Sequence, residues 1–297
     1  MGQWVRTLKN YLEGCFQSYI RDDQQSTFFQ SEEREALERK KLQLAERDAE
    51  IVKNIIGGQV FGVKTHSYGQ TIDYGLSLQH LIKQGDFFYI EEHFYDRRAF
   101  FYRGKLVDER CLSSDGNYQQ TVNRKKQRRM ERSRNRYEYN RLEAVKYAER
   151  WWNDYNPQYQ RFEDNCTNFI SQCLYAGGAP MTGYPDRAKG WWYKGNQWSF
   201  SWAVTHSFRW YLSGSESGLQ AHEVESPKQL QRGDVILYDF DGNGRWQHAT
   251  IVVAFDQQGM PLVNAHTVNS RMRYWKYEDS TAWTPNIQYK FFHIISG

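Results

Sequence analysis

Cys166 and His248 have the residue types and local settings that nucleophilic catalysis needs. Cys166 lies in the run QYQRFEDNCTNFISQCLYAGG, residues 158–178. Asp164 or Asn165 can cap a helix that runs from about Cys166 to Ala176 and stops at Gly177-Gly178. Phe169, Ile170, Cys173 and Leu174 form its apolar side, so Cys173 reads as structural. A thiol in the first turn meets unpaired backbone N–H groups and the positive end of the helix dipole. Both favour the thiolate, which is the nucleophile, and the same N–H groups can hold an oxyanion. His248 stands at the start of the strand Ala249 to Phe255, just after the glycine-rich turn Asp241 to Gly244. An imidazole at a strand mouth can take the thiol proton and return it to a leaving amine. Asn264 and His266 are two apart on the next strand, and either could hold the His248 tautomer as the third member of a triad.

These residues need elements to position them. Asn140-Arg-Leu-Glu143 fits a capping box, and Leu142, Val145, Ala148, Trp151 and Trp152 give the following helix one apolar face. Gly233-Asp234 opens a strand, Val235 to Phe240, and a third strand spans Leu262 to Thr267. Between nucleophile and base, residues 181–228 are rich in tryptophan. About half of these aromatics are expected in the core and the rest along a substrate cleft, with Trp191 and Trp192 as candidates. Trp246, two residues before His248, is the strongest candidate for touching substrate.

The N-terminal part reads differently. Residues 4–20 form an amphipathic helix whose polar face carries too few cations for a membrane, so it should pack on the protein. Residues 31–56 read as a second, charged helix ended by Gly57-Gly58. Four strands are expected over 59–110, broken at Gly85-Asp86 and Arg97-Arg98, with His66, His80 and His93 as half-exposed structural histidines. The whole is α+β: a cystatin-like or nuclear-transport-factor-like domain over 1–123, a basic linker over 124–138, and a catalytic domain over 139–297.

The run DNCTNFISQCLYAGG, preceded by YNRLEAVKYAERWWNDYNPQYQRFE, resembles the amidase-domain family of Gram-positive bacteria, whose motif is similar to D-C-T-N-F-[IV]-S-Q. Here Asp164 is displaced by one place and Asn165 directly precedes the cysteine. The wider resemblance is to the papain-like superfamily with NlpC-type and CHAP-type cell-wall peptidases, where a GDV-type strand precedes the histidine, as Gly233-Asp234-Val235 does. It covers about residues 137–295 and implies a papain-like domain with the nucleophile helix packed on an antiparallel sheet. It implies Cys166 as nucleophile and His248 as base, with Asn264 ranked before His266 as third residue. It also makes Gln160 a candidate oxyanion donor. The implied activity is a cysteine amidohydrolase or peptidase acting on peptide amides, with peptidoglycan peptides favoured and no cofactor or metal. Acyl transfer through the same acyl-enzyme and a non-catalytic wall-binding or polymer-binding module are the alternatives.

Composition bounds these readings. The 297 residues carry 39 Lys+Arg and 35 Asp+Glu, a net charge of +4. Nine basic and two acidic residues fall within Arg124 to Arg141, so the rest of the chain is −3. The basic character is therefore local, which argues against a surface built for nucleic acid. The run is expected to be a solvated linker, with tethering to an anionic polymer as the sharper reading. Mean hydropathy is −0.86, yet aromatics reach 16%, which excludes disorder throughout. The longest apolar stretch, Ala249 to Phe255, is far short of a membrane span, and residues 1–20 lack a signal-peptide core. Cytoplasmic residence is the default expectation, with spore or envelope association open. The four cysteines form no CxxC pair and no zinc spacing.

Overall fold

The computed structural model describes residues 3–20, 31–112 and 137–297. The basic run from Arg124 to Arg136 lies outside the described residues. The chain divides into two compact units. The first takes in the described residues up to 112 together with residues 268–272 and 276–282, and the second holds the other described residues. Both are mixed α+β with antiparallel strands. Among the described residues, no helix is long and apolar enough to cross a membrane.

In the first unit, α1 (Gln3–Gln17) buries Leu8, Leu12, Cys15 and Phe16. They pack against Ile72, Tyr74, Leu76, Leu78, Ala99 and Phe101 of the strands. The helix thus packs on the protein, as its weakly cationic polar face suggests. The second helix, α2 (Ser31–Glu46), is shorter than the expected span 31–56. Asp48 turns the chain with φ 56, and residues 49–56 belong to a strand. Ile51, Val52, Ile55 and Ile56 are β-branched and suit a pleated surface better than a helix. The strand β1 (Ala49–His66) carries Gly57 and Gly58 in its interior, opposite Ser77 and Leu76 of β2 (Gly69–Gln84). A side chain at Gly57 would meet Ser77 Oγ at 2.5 Å. Gly57 marks close approach and Gly58 has open space beside it, and neither is a helix stop.

The strand β3 (Phe87–Tyr102) runs unbroken through Arg97-Arg98. Partners offset the charges: buried Arg97 bonds Glu109 and pairs with Glu33 at 2.9 Å, and Arg98 bonds Asp73. The turn comes at Arg103-Gly104, both with positive φ, so the expected fourth strand after Arg97-Arg98 is instead a hairpin from β3 into β4 (Lys105–Cys111). The rest of the β3 edge pairs Glu92, His93 and Phe94 with residues 271, 270 and 269.

His80 and His93 are buried, not half-exposed, because a charged cluster surrounds them. Lys40 Nζ lies 2.6 and 2.7 Å from the two oxygens of Glu91 and 3.2 Å from Asp279. His93 Nε2 is 2.7 Å from Glu91 Oε1. Glu91, His93 and Asp279 could together ligate a metal, but the Lys40 ammonium already supplies the positive charge there. Burial opposes ionisation of Glu91, yet the Lys40 charge and the His93 bond outweigh it and hold its carboxyl well below the usual range. Glu91→Gln should destabilise the first unit by about 3 kcal/mol, because a buried ammonium loses its main counter-charge. A fall in the urea midpoint at unchanged m-value is the expected reading. A depressed carboxyl contributes stability above its unfolded pKa, so this contribution fades as pH falls below about 4.5.

The second unit begins with α3 (Arg141–Trp151) and α4 (Cys166–Ala176). Asn140 caps α3 by accepting from Glu143 N, but its own N–H goes to Gly177 O, so the capping box is one-sided. After the short hairpin β5 (Tyr193–Lys194) and β6 (Gln197–Trp198) come α5 (Phe200–Ala203) and α6 (Thr205–Gly214). The strands β7 (Gln220–Val224), β8 (Val235–Asp239), β9 (His248–Phe255), β10 (Pro261–Ala265) and β12 (Gln288–Ile295) follow, and β11 (Asn269–Tyr274) belongs to the first unit up to residue 272. Within the second unit the sheet order is β10-β9-β8-β12-β7, and α3 and α4 pack on β9. Gly233 takes φ 85 and buried Asp234 accepts from Arg141 Nη1, Gln231 N, Ile294 N and His293 Nδ1. That pair anchors the start of β8 to α3 and β12.

Candidate active site

Cys166 is the first residue of α4, and the fully buried Phe169, Ile170, Cys173 and Leu174 fix that helix in the core. Asn165 occupies the N-cap position without making a side-chain cap bond. Its side chain is used elsewhere: Oδ1 accepts from Phe162 N and Asn168 Nδ2, and Nδ2 lies 2.8 Å from His266 Nδ1. His266 Nε2 faces Trp151 O at 2.7 Å. A carbonyl only accepts, so Nε2 carries the proton and Nδ1 accepts from Asn165. The His266 ring stacks on Phe169 with centroids 3.9 Å apart. His266 thus holds the residue just before the thiol, while burial lowers its pKa to about 4 against the pull of the Trp151 carbonyl.

The thiol sits among hydroxyls and backbone. Cys166 Sγ is 3.8 Å from Thr167 Oγ1, from Thr205 Oγ1 and from Gln247 O. Thr205 donates to Gln247 O at 3.0 Å, so Thr167 donates to Thr205 at 2.6 Å. Burial pushes the Cys166 thiol up, while the Thr205 and Thr167 hydroxyls and Ala249 N–H pull it back. Cys173 is raised well above its usual range by burial alone, and Cys15 is pushed to about 12 mainly by burial, so neither is a competing nucleophile. The cleft beside Cys166 is about 40 Å³ and is lined by Asp164, Cys166, Ala203, Val204, Thr205, His206, Arg245, Trp246 and Gln247. That holds roughly three water-sized groups, enough for a reacting amide and not for a whole substrate. Burial and the neighbouring Glu163 raise the Asp164 carboxyl.

His248 lies between Gln247 and Ala249, whose backbone meets the thiol. It is paired with Tyr238, and its ring rests against Tyr238 and Phe240 at 5.6 and 6.0 Å. Asn264 pairs with Ile251, three residues along β9 from His248. Side chains alternate along a strand, so His248 and Asn264 point to opposite faces. Asn264 Nδ2 donates to Glu149 Oε1 on α3. Burial, aided by the Arg273 charge, takes the His248 pKa to about 3.

Of the residues singled out in the sequence, the structure brings Cys166 and Trp246 to one cleft and places Asn264 and His266 against α3 and α4. It does not bring His248 into hydrogen-bond contact with Cys166. Gln160 turns its side-chain Nε2 to Arg161 O and does not line the cleft. Trp191 and Trp192 are core residues, their indoles bonded to Ser171 Oγ and to the Asp186 and Lys189 carbonyls. Thr205, His206, Arg245 and Gln247 were not legible as site residues. They sit in a tryptophan-rich stretch and a turn whose spacing carries no motif.

A family model described as a putative amidase domain matches residues 138–292. The chain belongs to this family. The match spans α3 through most of β12, and so includes the cleft and both faces of its sheet. The family's description points to hydrolysis of amides. The chain is also similar to the uncharacterized protein YhbB of Bacillus subtilis (strain 168), with 48% identity over 266 residues, 87% of this chain and 86% of that protein. It is 27% identical over 139 residues to YjcM of the same organism, covering 44% of this chain and 31% of that protein. No solved structure matches.

Proposed function

We propose that the second unit is a cysteine amidohydrolase of papain-like arrangement that cleaves peptide-type amides through an acyl-enzyme, with peptidoglycan peptides as the substrate class. The observation that carries this reading is the placement of Cys166 at the first position of α4, in the wall of a cleft and beside an N-cap that leaves the helix end uncapped by side chains. Cys166 Sγ attacks the amide carbonyl carbon, the C–N bond breaks, the amine leaves with a proton, and water hydrolyses the thioester. The first-turn N–H groups hold the oxyanion. His266 and Asn165 are positioning residues that keep the helix end in place. Trp246 flanks the scissile group. The resemblance implies His248 as the base, a role that requires its ring to leave Tyr238 and the face of β9 opposite Asn264.

A second reading, a non-catalytic module for wall polymer with the basic run as tether, is favoured by the buried thiol and its lack of an imidazole contact. Incubation with peptidoglycan digests, followed by intact mass spectrometry and peptide mapping, separates the two. A mass increase equal to an acyl fragment on the Cys166 peptide, with released amine, supports the enzyme. Retention on wall polymer with no adduct and no product supports the module. Where the substrate is found, as recycled fragments or as the wall itself, then decides between a cytoplasmic and an envelope or spore setting.

A further inference from the structure

The strand β1 closes one side of the sheet and, among the described residues, pairs only with β2. Its outer row of backbone N–H and C=O groups is therefore a template for another strand. Pairing with β2 also tells its two faces apart. On the face that carries the helices, Ile51 stands opposite Ile82 and is 6% exposed. Asn54 stands opposite His80 and donates to Phe16 O of α1 at 2.6 Å. Val60 and Val63 lie on the same face, opposite the buried Tyr74 and Ile72, yet are 46% and 45% exposed. The helix layer covers the first half of β1 and leaves the second half bare. Exposed edges are usually guarded by proline or inward charge, and β1 has neither.

A second copy of β1, run antiparallel with Gly57 opposite Gly57, accounts for these features together. Residues opposite one another in a sheet share a face. In this register Ile51 meets Val63 and Asn54 meets Val60 on the helix side, while Glu50 meets Lys64 on the other. The faces agree along the whole strand because the bulges at Val52 and Phe61 flank the centre and offset each other. Centring the pair on Ile56 would keep the faces but set Glu50 against Gly62, so the charges choose Gly57. The covered half of one copy then lies beside the bare half of the other, and two Glu50–Lys64 pairs form.

We propose that the protein is a two-fold dimer in which the β1 strands of two copies pair antiparallel about Gly57. The same surface is used on both copies, so the assembly closes at two. The inference concerns the first unit and is independent of what the second unit cleaves. Residues 50–64 of each copy give an edge roughly 50 Å long at about 3.3 Å per residue. A strip of that length and about 10 Å width buries on the order of 1,000 Å² over both copies, the lower end for a specific interface, so a micromolar Kd is expected.

The test is sedimentation velocity of the full chain in reducing buffer from about 1 to 200 μM, with hydrogen exchange read by mass spectrometry at both ends of that range. The mass should rise from one chain to two, and the amides of residues 50–64 should slow as it does. Lys64→Glu, at an exposed position, should weaken association by about 10-fold by placing like charges opposite each other twice. Adding Glu50→Lys should bring the affinity back to within about 3-fold of wild type, a recovery that a purely structural role for either residue does not give. A chain that stays single throughout overturns the proposal. So does a dimer whose 50–64 amides exchange at the monomer's rate, growth beyond two copies, or a double variant as weak as Lys64→Glu alone. Should Lys64→Glu fail to fold, the wild-type exchange pattern decides by itself.

Discussion

Cys166→Ala should lose amide cleavage by on the order of 10⁴-fold or more, because removal of the nucleophile leaves only binding and oxyanion stabilisation. The change should cost little stability. Sγ is held by three contacts of 3.8 Å, each long for a hydrogen bond, and the helix it starts is anchored by Phe169, Ile170, Cys173 and Leu174 further along. A loss of roughly 1 kcal/mol is expected. The Thr167–Thr205–Gln247 chain of hydrogen bonds closes without the sulfur, so the cleft should keep its shape. Cys173→Ala is the contrasting control. That thiol is fully buried in the core face of α4, so its loss should lower the urea midpoint and leave turnover near wild type. Turnover in Cys166→Ala within 10-fold of wild type would overturn the assignment of the nucleophile. Loss of turnover in both variants, with both unfolded, would be resolved by intact mass analysis of the acyl adduct on the wild-type protein.

Acidification should unfold the second unit well before its carboxyl groups are fully protonated. His248 and His266 are both entirely buried, and their pKa values fall to about 3 and about 4. Burial is the leading cause in each. In the unfolded chain both titrate near 6.5. A group whose folded pKa is depressed binds its proton more readily when unfolded, so its contribution is complete above pH 6.5 and is lost as pH falls. For His266 the difference corresponds to about 3 kcal/mol by the time pH reaches 4. His248 adds a term of similar order. Together these rival the net stability of a domain, about 5–15 kcal/mol. Urea midpoints measured at pH 7.5, 6, 5 and 4.5 should decline steeply below 6.5. His248→Gln and His266→Gln should each start lower at pH 7.5 and then decline less. A wild-type midpoint that stays flat to pH 4.5 would show that these rings gain protons in the folded state.

What the sequence conveyed was local. The bounds of α4 came directly from Asn165, the apolar run and Gly177-Gly178. Gly233-Asp234 correctly announced β8, and β8, β9 and β10 each began within a residue of expectation. Period-two alternation shows which residues of one strand share a face. It does not show which face meets a helix, and so His248 and Asn264 looked compatible although the register separates them. Charge misled in the first unit. Arg97-Arg98 looked like a break, and His80 and His93 looked half-exposed, because the partners that allow burial lie far along the chain. The α2 boundary failed for a related reason: the apolar side of a helix and the β-branched start of a strand ran together, with only Asp48 to divide them. Nothing local marked Thr205 and His206 as cleft residues, since their position depends on where the 245–247 turn returns.

The participation of residues 268–272 and 276–282 in the first unit sets a timetable for synthesis. Lys40 and its partner Asp279 are 239 residues apart. At translation rates of about 5–20 residues per second, that is roughly 12–50 s during which a nascent chain holds Lys40 without the strand and carboxylate that complete its surroundings. The N-terminal unit is begun first but completed only at residue 282. A ribosome-bound chain stopped at residue 260 would carry an unpaired stretch of the β3 edge at Glu92 to Phe94, the kind of open edge that recruits other strands. The expected consequence is a period of chaperone dependence that ends only when the last thirty residues emerge.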